Sequence, residues 1–334
     1  MLGKLRQKKT KMRDKFFKWL IGTPPAIVGG WWNRAGVCLV RKLHLSDARA
    51  ALDIIYEPCG LLSANEAAAD APIQSDIVNA LRCAAEHLGN EKFYLAVGVP
   101  SGDIFIKNIE IPSGLSEKQI EQLSVVEAVS NLPVPPEEIC ADFLRGEIRS
   151  DAVNERIDVA FCKRGLVDEL SLVAEDAGVV LGIVDRDVQA VHDATLWCAA
   201  RQLDMTAVSY PLGILFAGDA ANFLVCRSAL DHSSYLVNGL ANALTKPAED
   251  MALILAELQA YCRRAGLSVE KGEPLAQLYL IDAGNGAELM ASSFDALTGN
   301  AARINPKMLV SGDSSAVPIF GLMVAIGMAL RTHA

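Results

Sequence analysis

Short β-rich runs and amphipathic helical stretches succeed one another along this chain in the same order twice. After Pro24-Pro25, the runs 26–30, 36–45 and 51–57 read as strands separated by short turns. A helix over 75–88 follows, with Ile77, Val78, Leu81, Ala84, Ala85 and Leu88 on one face and Ser75 as its N-cap. Strand 92–99 closes at the turn Pro100-Ser101-Gly102. Strand 103–111 comes next, then a helix over 116–132 that opens with a capping arrangement of Ser116 and Gln119. Pro133-Val134-Pro135-Pro136 cannot continue that helix. Strands 139–148 and 156–162, helix 166–177 stopped by Gly178, strand 179–185 and helix 188–200 complete the first series. The second runs through strands 212–217, 223–228 and 234–237, helix 248–264, strand 278–282, helix 288–297, strand 301–304 and helix 317–331. The expectation is an α/β chain made of two related halves, with 103–164 as an α+β insertion in the first.

Composition narrows the function. Hydrophobic residues are 51% and charged residues 21% of 334, which excludes a disordered or fibrous chain. The eight cysteines stand singly with no CxxC or CxxH pair, so reduced core thiols are expected rather than zinc or a disulfide framework. Five scattered histidines form no HxxxH spacing, and GxSxG, the P-loop pattern and HExxH are absent. These absences argue against a metal hydrolase or a triad enzyme: no catalytic residue and no metal site is expected. The apolar stretch 317–330 falls short of the ~18–20 residues that cross a bilayer and reads as a buried helix. The N-terminus lacks the form of a signal peptide, which leads to the expectation of a cytoplasmic protein.

The net charge of −9 conceals an asymmetry. Residues 1–20 carry Lys4, Arg6, Lys8, Lys9, Lys11, Arg13, Lys15 and Lys18 against Asp14, a balance of +7, whereas the rest of the chain stands at −16. On a helix, Leu2, Leu5, Met12, Phe16, Trp19 and Leu20 fall on one side. A basic arm of this kind, with Lys8, Lys9 and Lys11 opposite Phe16 and Trp19, suits an anionic membrane surface, and a solvated tail is the plain alternative. No second basic patch extends it into a nucleic-acid groove, so no nucleic acid is expected.

Three stretches together resemble the type IV pilus assembly protein PilM. One is 96–112, Ala-Val-Gly-Val-Pro-Ser-Gly-Asp-Ile-Phe-Ile-Lys-Asn-Ile-Glu-Ile-Pro, followed by 115–120. Another leads from Glu127-Ala128 to Leu132-Pro-Val-Pro-Pro-Glu-Glu-Ile139 and Asp142-Phe143. The last runs from 157–164 through Ala177-Gly178 to Val184-Asp185. The resemblance implies an actin-like fold of two ribonuclease-H-like lobes, 23–200 with the inserted subdomain and 201–334, preceded by the arm 1–22. It also implies a cytoplasmic component at the periphery of the inner-membrane pilus platform. Its partners would be the N-terminal cytoplasmic peptide of a PilN-like membrane protein and other platform or motor proteins. The groove for that peptide would draw on Ile104, Ile106, Ile109, Ile111, Ile120 and Leu123. A GspL-like secretion-platform component is an alternative within the same fold.

Several such proteins bind ATP, so the resemblance also implies where a nucleotide with Mg²⁺ would sit. The first hairpin would use Gly29, Gly30 and Asn33, the second Gly218 and Asp219, and the adenosine-side loop Gly284, Asn285 and Gly286, with Asp185 available to magnesium. The first hairpin lacks the family's Asp and carries Trp31-Trp32 instead, and the second has Phe216-Ala217 where an acidic strand end is usual. A non-catalytic adaptor with a degraded nucleotide site is therefore the expectation, and an ATP-binding or ATP-hydrolysing switch is the alternative. Asp185 also reads as a cap for the helix that follows it.

Overall fold

The computed structural model describes residues 26–34, 36–42, 52–59, 71–89, 92–145, 153–203, 207–217, 222–236, 249–267, 275–282 and 301–331. The arm, Gly218, Asp219, Gly284, Asn285, Gly286 and the expected helix 288–297 lie outside the described residues. The chain divides into two compact units, one of Met1–Arg41, Ile55–Asp187 and Met328–Ala334, the other of Lys42–Ile54 and Val188–Gly327.

Strands β1 (Ala26–Asn33), β2 (Gly36–Lys42), β3 (Leu52–Pro58), β4 (Phe93–Val99) and β8 (Val180–Arg186), which belong to the first unit except for Lys42 and Leu52–Ile54, lie in the order β3-β2-β1-β4-β8. β1 is antiparallel to β2 and parallel to β4, and β4 is parallel to β8. The chain reverses between Asn33 and Gly36, where the Asn33 carboxamide oxygen accepts the Gly36 N–H at 3.3 Å. Only glycine fits at 36, because a Cβ would stand 2.6 Å from the Glu57 carbonyl and the Tyr56 hydroxyl.

Helix α1 (Ala71–His87) buries Val78, Leu81 and Ala84 at the spacing of one helical face. It starts a turn earlier than its sequence suggests, so Ser75 lies within it and is no cap. Pro72 is tolerated in the first turn, where its missing N–H would have had no partner. Expected strand 103–111 begins instead with a short 3₁₀ turn, Ser101–Asp103, before β5 (Phe105–Pro112).

β5, helix α2 (Glu117–Asn131), β6 (Ile139–Arg145) and β7 (Asn154–Lys163) form a separate three-stranded antiparallel sheet, β5-β7-β6, with α2 packed over β6 and β7. The capping box is present: the Gln119 N–H donates to Ser116 Oγ, and Gln119 Oε1 accepts the Ser116 N–H. Ile111, Ile120, Ala128, Leu132, Ile139, Phe143, Ile157, Val159 and Phe161 fill the core between α2 and this sheet. The other face of the sheet places Ile104, Ala160 and Cys162 in the main core of the unit. Helix α3 (Arg164–Asp176) packs on β8 and ends at Gly178, whose φ of 78° is the left-handed conformation that glycine adopts without a Cβ penalty.

The second unit repeats the order. Strands β9 (Leu212–Ala217), β10 (Asn222–Cys226), β11 (His232–Leu236), β12 (Gln277–Asp282) and β13 (Ala301–Ile304) lie as β11-β10-β9-β12-β13. The first three form an antiparallel meander, and β12 runs parallel to β9 and β13. In both units the third, second and first strands are followed by the fourth and fifth, which is the repeat the sequence carries. Helix α4 (Asp187–Gln202) follows β8. Helix α5 (Glu249–Arg264) buries Ile254, Leu258, Tyr261 and Cys262 against Leu215, Phe223, Leu278 and Leu280. β14 (Val310–Ser311) pairs with Leu52 and Asp53. Helix α6 (Ile319–Ala329) is buried at every position but the half-buried Phe320, as befits an apolar helix without a polar stripe. No helix among the described residues is long and apolar enough to cross a membrane.

Candidate functional site

β5 borders only β7 among the described residues, so one side of its backbone is an open sheet edge. Side chains alternate along it. Phe105, Lys107, Ile109 and Ile111 stand opposite Phe161, Val159, Ile157 and Glu155, on the face that carries α2. Because α2 lies over β6 and β7, the outer part of that face stays open. Phe105 is 45% exposed although its ring stacks on Phe161 at 5.7 Å.

From the helix, Glu127 reaches across to Lys107 at 2.5 Å, tying α2 to the edge strand. The hydrogen bond from Lys107 holds the Glu127 carboxyl below its usual range, with Asn131 adding to the effect and partial burial opposing it. One turn before Glu127 on the same side stands Leu123, 37% exposed, and Val126 beside it is 65% exposed. The core is satisfied by Ile120, Ser124 and Ala128, so these outer apolar side chains are not needed to hold the helix. The result is an apolar shelf along a strand edge with no partner among the described residues, crossed by the Lys107–Glu127 ion pair. Chemically it offers backbone donors and acceptors for an added strand and apolar surface for its side chains.

The six groove residues expected from sequence divide sharply. Ile104, Ile111 and Ile120 are buried in the cores, and Ile106 packs against the main core on the opposite face. Ile109 is half-buried on the shelf side, and Leu123 is exposed there. Phe105, Lys107 and Glu127 complete the shelf without having been expected in it. The one signal for them is that the apolar positions switch from even numbers to odd between Ile106 and Ile109, which moves the open face.

The expected nucleotide residues are differently placed. Gly29 and Gly30 lie in the middle of β1, not in its turn, paired with Val40 and Leu39 on one side and with Ala96 and Val97 on the other. A Cβ on Gly30 would stand 2.9 Å from Leu95 Cδ1, so its smallness serves packing between strands. Trp32 on the same face packs into the core. Asn33 does reach the turn, but its side chain closes the turn on Gly36.

Asp185 ends β8 and is 3% exposed. One carboxylate oxygen accepts the Arg186 N–H at 2.8 Å, and the other pairs with the Arg331 guanidinium at 2.9 Å. Its carboxylate therefore already has a cation beside it, supplied from the residue two beyond α6. It accepts from the next amide, inside the strand. No group of three or more potential metal ligands exists among the described residues. A strand-bound glycine pair and a carboxylate neutralised by arginine do not fit a magnesium–phosphate cradle, which needs free backbone amides and an oxygen ligand left for the metal.

In the second unit, His192 is buried between Asp193 at 2.9 Å and the Tyr210 hydroxyl at 2.8 Å. That relay contains no serine or cysteine hydrogen-bonded to the ring, so it ties α4 to the segment before β9 without presenting a nucleophile.

Residues 62–219 match the family model of the type IV pilus assembly protein PilM. No curated protein matches the chain in sequence. Among solved structures, the chain is similar to that of a PilM-PilN type IV pilus biogenesis complex at 20% identity, covering 91% of this chain and 98% of that one with a TM-score of 0.59. It is also similar to the cytoplasmic domain of EpsL, an inner-membrane component of the type II secretion system of Vibrio cholerae (12% identity, 92% and 96% covered, TM-score 0.44). A further likeness is to the ROK hexokinase from Thermus thermophilus (9% identity, 90% and 97% covered, TM-score 0.38). The fold is the actin-like α/β fold.

Proposed function

We propose that this chain, PilM-like in sequence and actin-like in fold, is a non-catalytic adaptor of a type IV pilus assembly platform. Its work in this reading is to hold the N-terminal cytoplasmic peptide of a PilN-like inner-membrane protein. The carrying observation is the open edge of β5 beside the exposed Phe105 and Leu123, both within the matched residues 62–219. An extended peptide laid along this edge gains main-chain hydrogen bonds, and its alternate side chains reach the shelf. The likeness to a complex in which PilM is paired with PilN supports the choice of partner.

The absence of catalysis is the second half of the proposal. Arg331 already meets the carboxylate that magnesium would use, and Gly29 and Gly30 are engaged in the sheet. Immobilised PilN-like peptide is expected to retain the full-length chain above a scrambled peptide, to the same extent with and without Mg-ATP. No enrichment removes the adaptor, and enrichment that depends on Mg-ATP favours the switch instead.

The +7 arm supports a position at the membrane surface, since each Lys or Arg near an anionic bilayer contributes about 1 kcal/mol. Flotation with anionic vesicles should recover the full chain far better than a version beginning at Thr23. Equal recovery of the two would leave residues 1–22 as a solvated tail.

A further inference from the structure

Of the eight cysteines, two are brought face to face by strand register. Cys140 on β6 is the direct antiparallel partner of Cys162 on β7, so both thiols leave the same face of the sheet. That face is the one turned to the main core, of which Cys162 is a member and against which Cys140 packs, as do Leu166 and Val167 of α3. Directly opposed residues of an antiparallel pair have Cα atoms about 4.5 or 5.5 Å apart, and both values lie within the range of roughly 4.4–6.8 Å that a disulfide spans. Both thiols are free in the structure.

We propose that Cys140 and Cys162 are an oxidisable pair that forms a cross-strand disulfide and locks the edge strand β6 to β7. The order of events follows from access. Cys140 is partly exposed whereas Cys162 is fully buried. Burial pushes the Cys162 thiol up to about 12, with Cys140 and Asp103 adding to the effect and Arg164 opposing it, which leaves Cys140 as the first to react. The oxidant class is a peroxide. Cys140 sulfur attacks one peroxide oxygen, the O–O bond breaks, and the departing hydroxide takes up a proton as water. Cys162 sulfur then attacks the Cys140 sulfenic sulfur, the S–O bond breaks, and hydroxide leaves with the Cys162 proton as a second water. Two thiols lose two electrons, and one hydrogen peroxide becomes two waters.

The test is hydrogen peroxide treatment of the full-length protein, followed by proteolysis without reductant and mass mapping. The expected product is a Cys140–Cys162 peptide pair lighter by two hydrogens, with two of the eight thiols lost to alkylation. β6 amides should exchange hydrogen more slowly in the oxidised protein than in the reduced protein. Cys140→Ser should abolish both effects, while Cys83→Ser, at an exposed cysteine of α1, should leave both intact. The proposal is overturned if Cys140 accumulates as a sulfinic acid with Cys162 still free. It is equally overturned if the only linkage joins Cys83 of two molecules, or if β6 exchange is the same in both states.

Discussion

Gly327→Ala should destabilise the protein by about 3 kcal/mol or more, although the same change in an ordinary helix stabilises it by ~1 kcal/mol. The sign reverses because of what lies beside the helix. Gly327 stands near the end of α6, and a Cβ there would come 1.9 Å from the Ala190 carbonyl oxygen and 2.4 Å from its carbonyl carbon, both backbone atoms of α4. No side chain can rotate away to make room, so one helix has to move. Its neighbours resist: Leu322, Met323, Val324, Ala325, Ile326 and Met328 on α6 and Ala190, Val191 and Ala194 on α4 show no exposure. Moving α6 would open voids in a close-packed interior, where each lost contact has no replacement. Urea denaturation of the wild type and the variant measures the difference. A loss below ~1 kcal/mol, the range of a tolerated core swap, would mean that the two helices do not meet through their backbones.

How much of this was legible in the sequence depended on how local each cause was. The capping box at Ser116 and Gln119 was readable because both partners lie within one turn. The stripes of α1 and α5 were readable because periodicity is written along the chain itself. The start of α1 was misread because Pro72 looks like a breaker unless it is known to stand in the first turn. Gly29 and Gly30 look like hairpin glycines until β4 is seen on their other side. Asp185 and Arg331 are 146 positions apart and nothing in either neighbourhood announces the other. Cys140 and Cys162 share no motif, since only the β6–β7 register aligns them. The groove shows the limit most plainly. Alternation said that Ile104, Ile106, Ile109 and Ile111 were apolar, but not which face α2 would cover. Three of the six groove residues turned out to build the cores, and exposed Phe105 beside them defines the shelf.

Binding of the PilN-like peptide carries the second large expected effect. Leu123→Glu places a carboxylate on the shelf one turn from Glu127, and Phe105→Glu removes the exposed ring at the strand edge. Neither side chain is fully buried, so folding should survive in both. Each introduces a charge that an apolar peptide side chain would have to desolvate. A loss of at least tenfold in affinity, about 1.4 kcal/mol, is expected for either one. Leu172→Glu on α3 is the control, since Leu172 is exposed outside the inserted sheet. The most direct measurement is fluorescence anisotropy of a labelled N-terminal peptide from the PilN-like protein, titrated with full-length wild type and these variants. The adaptor reading predicts saturable binding to the wild type and to Leu172→Glu, with Leu123→Glu and Phe105→Glu weakened at least tenfold. No saturation with the wild type, or equal affinity in all four proteins, would contradict it.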